Sequence, residues 1–118
     1  MLSVPPGVGI FLYAPTADLR KSYDGLAGLA QEHLKKNVLD GGLFVFFNRR
    51  RDRVKLLYWD EDGYWLFAKR LEIGTFQLPQ LDDSAHEAVL SATDLSLILR
   101  GIDLTSVKRR PRYQRTAG

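Results

Sequence analysis

Apolar and polar positions alternate along this chain with two different periods. Residues 9–14 (G-I-F-L-Y-A) form a short apolar, aromatic run closed by Pro15, which predicts a strand. From Asp18 the period lengthens. Leu19, Tyr23, Leu26, Ala30 and Leu34 follow one another at spacings of three and four, which puts them on one face of a helix near residues 22–36. Gly25 and Gly28 interrupt that helix, each disfavouring it by about 1 kcal/mol relative to alanine. Two explanations stay open: two helical pieces, or close packing of the glycines against a sheet. Residues 37–42 end the segment.

Strand patterns follow. Leu43–Phe47 is continuously apolar, as expected of a central strand covered on both faces. Residues 53–59 alternate, with Val54, Leu56 and Tyr58 on one side and Arg53, Lys55, Leu57 and Trp59 on the other. Residues 64–70 repeat the alternation after Asp60-Glu61-Asp62-Gly63, a hairpin turn in which Gly63 is free to take positive φ. Residues 48–52 make the other connection, so a β-meander results, with a basic loop at one end and an acidic turn at the other. Residues 75–78 predict a short edge strand stopped by Pro79. A polar, acidic surface loop covers residues 79–87, and residues 88–90 form a brief strand. Ser91 with Asp94 three residues on marks a helix start. Leu95, Leu97, Ile98 and Leu99 supply its apolar side, and Arg100-Gly101 its stop. Residues 102–104 then anchor back on the core.

The fold class predicted is α+β: one domain over residues 1–105, mainly an antiparallel meander with one helix packed on the sheet and a short C-terminal helix. A basic, flexible tail is predicted for residues 106–118. A length of 118 residues suits one domain, and 45% apolar with 26% charged residues is ordinary for a globular chain. There are no cysteines, which excludes disulfides and cysteine-ligated zinc. The first seven residues lack a basic segment followed by an apolar one, so no signal peptide is expected. No apolar run approaches the ~18 residues of a membrane span.

Charge is unevenly placed. The net charge is +3, from 17 basic and 14 acidic residues. Five of the basic groups, Lys108, Arg109, Arg110, Arg112 and Arg115, fall in the tail with no acid among them; the remainder has 12 basic against 14 acidic residues. A second cluster, Arg49, Arg50, Arg51, Arg53 and Lys55, lies within the body. Such clusters attract phosphate backbones or acidic protein surfaces, though an isolated run also serves solubility alone. The meander is rich in rings. Most must fill the core, while Trp59 and Trp65 are candidates to contact a base or a partner.

Catalytic chemistry has little support. His33 and His86 accompany no nucleophile motif. Asp60, Glu61 and Asp62 adjoin in a turn and diverge, whereas metal-dependent strand transfer needs carboxylates converging from separate elements. No catalytic residue, metal site or cofactor is expected.

Several ungapped stretches resemble one known family. Residues 18–26, D-L-R-K-S-Y-D-G-L, look like its D-M-R-K-x-(F/I)-D-G-L. Residues 42–55, G-L-F-V-F-F-N-R-R-R-D-R-V-K, look like its arginine-rich core motif. Leu57-Tyr58-Trp59-Asp60, Gly63-Tyr64-Trp65-Leu66, Lys69-Arg70-Leu71-Glu72 and Gly74-Thr75-Phe76 continue the pattern, and residues 95–103 resemble its closing L-x-x-L-L-x-G-I-D. This is the TnpB accessory family of insertion sequence sixty-six, Orf-two-like and distinct from the RNA-guided nuclease of the same label. Departures are small: Leu19 stands for methionine, residues 38–40 for D-P-(F/Y), and Ile98 for leucine. The resemblance implies support of transposition by an element whose separate transposase cleaves the strands. Two molecular readings follow. In one, the basic clusters bind DNA. In the other, the protein is an adaptor docking the transposase or a second accessory protein. Either implies a bacterial cytoplasmic location, at the nucleoid if DNA is bound.

Overall fold

The computed structural model describes residues 7–80 and 87–101. Its centre is β2 (Leu43–Phe47), whose five residues are all buried. On one side β2 pairs antiparallel with β3 (Arg53–Asp60), and β3 pairs antiparallel with β4 (Gly63–Arg70). On the other side lies β1 (Ile10–Tyr13), parallel to β2, and beyond it β5 (Glu87–Leu90), antiparallel to β1. The sheet order is β4-β3-β2-β1-β5. The fold is therefore α+β, with a mainly antiparallel sheet containing one parallel pair. That pair needs a crossover, because parallel neighbours cannot be joined by a tight turn.

The crossover is α1 (Tyr23–Leu29), continued by a π-helical turn over Ala30–Leu34. Lys35 ends it in the left-handed region at φ 56°. The predicted helix thus exists as two joined pieces. Its glycines do not pack closely on the sheet: a Cβ on Gly28 would meet nothing within 4 Å, and the atoms nearest to one on Gly25 would be those of the Lys21 side chain. Leu26, Ala30 and Leu34 are the buried positions and pack with Val38, Tyr13, Phe44, Phe46 and Leu57.

The opposite sheet face has its own core. Ile10, Leu12, Leu43, Val45, Phe47, Val54 and Leu56 pack under Leu95 and Ile98 of α2 (Ala92–Leu99) and under Phe76. Both faces being covered explains why β2 is apolar throughout. The Ser91 hydroxyl accepts from the Asp94 N–H at 3.0 Å, the cap expected at the start of α2.

Two local expectations are corrected. Residues 75–78 form no strand. Phe76 instead inserts into the core, 5.4 Å edge-on from Phe47, and its N–H donates to the Arg51 carbonyl at 2.7 Å. One buried ring and one backbone bond hold the segment without a ladder. In the acidic hairpin, positive φ falls on Glu61 (52°), and Gly63 is already the first residue of β4. Asp60 pairs with Gly63, so the loop has two residues, and hairpins of that kind place positive φ at the first of them. Residues 102–118, including the predicted anchor over 102–104, and residues 81–86 lie outside the described residues.

Candidate nucleic-acid interface at the arginine loop

The connection from β2 to β3, residues 48–52, is organised by one side chain. Asn48 Oδ1 accepts from the N–H groups of Asp52 (3.1 Å) and Arg53 (3.0 Å), while its Nδ2 donates to Asp52 Oδ1 at 2.7 Å. The Arg51 N–H closes a turn onto the Asn48 carbonyl at 3.1 Å. From outside, Leu71 N–H donates to the Asp52 carbonyl at 2.7 Å, matching the Phe76 bond to Arg51. The loop backbone is thus tied at three successive residues. Asparagine and aspartate suit this work because their short polar side chains bond nearby main chain.

Arg49, Arg50 and Arg51 project from this frame and are exposed, as is Arg53 at the start of β3. Arg51 takes φ 58°, a conformation that costs a non-glycine residue about 1–2 kcal/mol. Among the described residues the ion pairs are Arg20–Asp18, Lys36–Glu87 and Arg70–Glu72, and none neutralises these four arginines. The one carboxylate within the loop is Asp52. Its pKa is held below the ordinary range, chiefly by the Asn48 bond, with Arg50 and Arg53 adding electrostatic attraction. Four exposed guanidinium groups thus share this end of the sheet with one carboxylate that is already engaged.

The remaining candidates sit elsewhere. Lys55 is half-buried on the α1 face, and its ammonium donates to the Lys21 carbonyl at 3.0 Å. Trp59 is half-buried, edge-on to Tyr64 at 4.9 Å. Six residues of extended strand, about 20 Å, separate it from Arg53. Trp65 is 54% exposed on the α2 side of β4, stacked on Phe67 at 5.9 Å and donating to Asp60 Oδ2 at 3.2 Å. The two tryptophans thus belong to the acidic-turn end and are not brought to the arginine loop. Lys108, Arg109, Arg110, Arg112 and Arg115 lie outside the described residues. His33 is exposed beside Tyr13, and no metal-binding group of His, Asp and Glu occurs among the described residues.

Sequence reading missed a residue that the strand pairing supplies. Arg70 stands directly opposite Arg53. An open groove of about 460 Å³ lies beside them, bounded by Leu19, Arg53, Lys55, Ala68, Arg70 and Glu72.

Comparison with known proteins fits this arrangement into a lineage. The family described as IS66 Orf2 like protein matches residues 8–109, which include every element above. The chain belongs to that family. It is also 35% identical over 111 residues to the uncharacterized protein y4jC of Sinorhizobium fredii, covering 94% of this chain and 93% of that one. The uncharacterized protein y4hO of the same organism is 38% identical over 103 residues, covering 87% and 88%. No solved structure matches. Membership in an IS66 Orf2-like family associates the chain with transposition as an accessory protein of an insertion sequence, and the family is not a known enzyme family. Among the described residues, no helix is long and apolar enough to cross a membrane.

Proposed function

We propose that this IS66 Orf2-like protein supports transposition by binding DNA through its arginine loop, without catalysing strand chemistry itself. The observation carrying this reading is the loop's construction. Asn48 fixes the backbone, so Arg49, Arg50 and Arg51 are presented together, beside Arg53, with no ion-pair partner among the described residues. Arg51 is held there in a strained conformation, and strain of this kind is retained where the surrounding structure enforces it, often at functional sites. Guanidinium groups bind phosphate oxygens in forked pairs, which gives backbone contact without base readout. The tail cations, Lys108 to Arg115, add general attraction, with residues 1–105 acting as the folded unit. The site of action is the bacterial cytoplasm, at the nucleoid, alongside the transposase and the element's other accessory protein.

One observation favours the adaptor reading. Trp65, Phe67 and Ile73 are exposed to 54%, 36% and 92%, and large exposed apolar side chains, aromatic ones above all, commonly anchor protein partners. Salt dependence separates the two. Duplex affinity measured across a salt series should fall steeply for the wild type. Replacing Arg50→Ala together with Arg51→Gly should flatten the slope by about two units, one per lost phosphate contact. Glycine at position 51 accepts the loop's φ without strain, so the fold is preserved. Unchanged DNA affinity combined with lost transposase binding in this variant would replace the DNA reading with the adaptor one.

A further inference from the structure

In register across β3 and β4, Arg53 faces Arg70 and Lys55 faces Ala68. Period-two alternation puts all four side chains on the same sheet face, the one that carries α1. Directly opposed positions have Cβ atoms about 5 Å apart. Alternate positions along one strand are about 7 Å apart. Three cationic side chains therefore occupy three corners of a small quadrilateral. At the fourth, Ala68 is too short to fill the space, and the open groove lies there. Leu19 walls one side.

Like charges placed directly opposite destabilise a strand pair. Nothing in the packing requires arginine at both positions, because Arg53 and Arg70 are exposed. Lys55 uses one N–H on the Lys21 carbonyl, which fixes its ammonium over the strand and leaves two donors. Among the described residues the one acid at the rim is Glu72, which takes Arg70 Nη2 at 3.0 Å. That pair is exposed, with side chains 59% and 76% accessible, and such pairs exchange readily with other partners. Lys69, which also borders the groove, is committed elsewhere: its ammonium caps the C-terminal end of α2 at the Leu99 carbonyl, 2.9 Å away.

We propose that Arg53, Arg70 and Lys55 form a seat for a single phosphate group, in which the anion replaces Glu72 as the counter-charge of Arg70. The inference rests on the DNA-binding reading for the source of that phosphate, a backbone group of DNA whose neighbouring phosphates contact the arginine loop. The footprint then extends from the loop tip along the β3–β4 hairpin, and Glu72 becomes an internal competitor that sets affinity.

The test compares duplex binding by wild type, Arg70→Gln, Glu72→Gln and the Arg50→Ala, Arg51→Gly variant over a salt series. Loss of one phosphate contact lowers the salt slope by about 0.9, or affinity about five-fold near 0.15 M salt. Arg70→Gln should show that loss without lowering the melting temperature, since it relieves a like-charge pair. Glu72→Gln should bind more tightly than wild type, an effect that a purely structural role for the pair would not produce. Inorganic phosphate titrated against the Arg53 and Arg70 side-chain N–H signals distinguishes a free anion from a backbone phosphate as the source. If these signals respond while Arg70→Gln leaves DNA affinity unchanged, the seat takes free phosphate and the DNA source is withdrawn. If only the loop variant weakens DNA binding and phosphate moves no signal, the seat is refuted and the DNA reading stands. If no variant alters DNA binding, the DNA reading fails as well.

Discussion

Replacing Asn48→Ala removes the side chain that organises the arginine loop while leaving every arginine in place. Its amide oxygen accepts two main-chain N–H groups, from Asp52 and Arg53. A net contribution of about 1 kcal/mol for each bond gives about 2 kcal/mol. Unfolding entropy of about 2.1 cal/mol/K per residue comes to about 0.25 kcal/mol/K for a chain of this length, so the melting temperature should drop by about 8 °C. The third bond, from Nδ2 to Asp52, adds a pH dependence. Asp52 has a depressed folded pKa, so its stabilising effect is present above the unfolded value of 3.8 and is lost as pH falls through the lower folded value. In Asn48→Ala the main cause of that depression is gone. The difference in melting temperature should therefore be largest near neutral pH and narrow below about pH 3.8. Thermal unfolding followed by circular dichroism over a pH series measures both effects. A melting temperature within about 2 °C of wild type at neutral pH would refute the account of the loop. Because the charges are retained, any accompanying loss of DNA affinity reports loop order alone.

Two further predictions concern single residues. Phe44→Ala should cost about 3–5 kcal/mol in denaturant unfolding, because this β2 residue is 1% exposed in the α1-side core, whereas Trp65→Ala should cost far less, the residue being 54% exposed; equal losses would overturn the assignment of the two rings. The Asp18 carboxyl should titrate at about 2, held down by the Arg20 side chain and then by the Arg20 main-chain N–H, and Arg20→Ala should return it toward 3.8 in a carboxyl-detected titration; an unchanged value would show that the pair does not form in solution.

Strand alternation was enough to assign faces on β3. Val54, Leu56 and Tyr58 join the α2-side core and Leu57 the α1-side core, as their spacing requires. The Ser91 cap, the end of α2 and the places of the two meander connections were equally readable, since each depends on neighbours in sequence, whereas the length of the acidic turn was not. The opposition of Arg53 and Arg70 was also recoverable: counting back from a two-residue turn at Glu61-Asp62 pairs them directly. Treating Asp60 to Gly63 as one four-residue turn hid that register. Trp59 and Trp65 illustrate the reverse case, because aromatic content signals a core but does not say which ring remains outside it.

The sequence by itself determined the local periods, the turn chemistry, the family and the concentration of arginine between two strands. These follow from steric preferences and side-chain hydrogen bonds that act over a few residues. Only the tertiary structure decided that β1 lies parallel beside β2 and brings β5 to the far edge, and that α1 and α2 cover opposite faces. It also decided that Phe76 is an anchor and not a strand residue, and that Lys55 points its ammonium at Lys21. Each of these depends on which apolar surfaces meet across long stretches of chain, and burial is non-directional, so its outcome is settled by the packing of the whole domain.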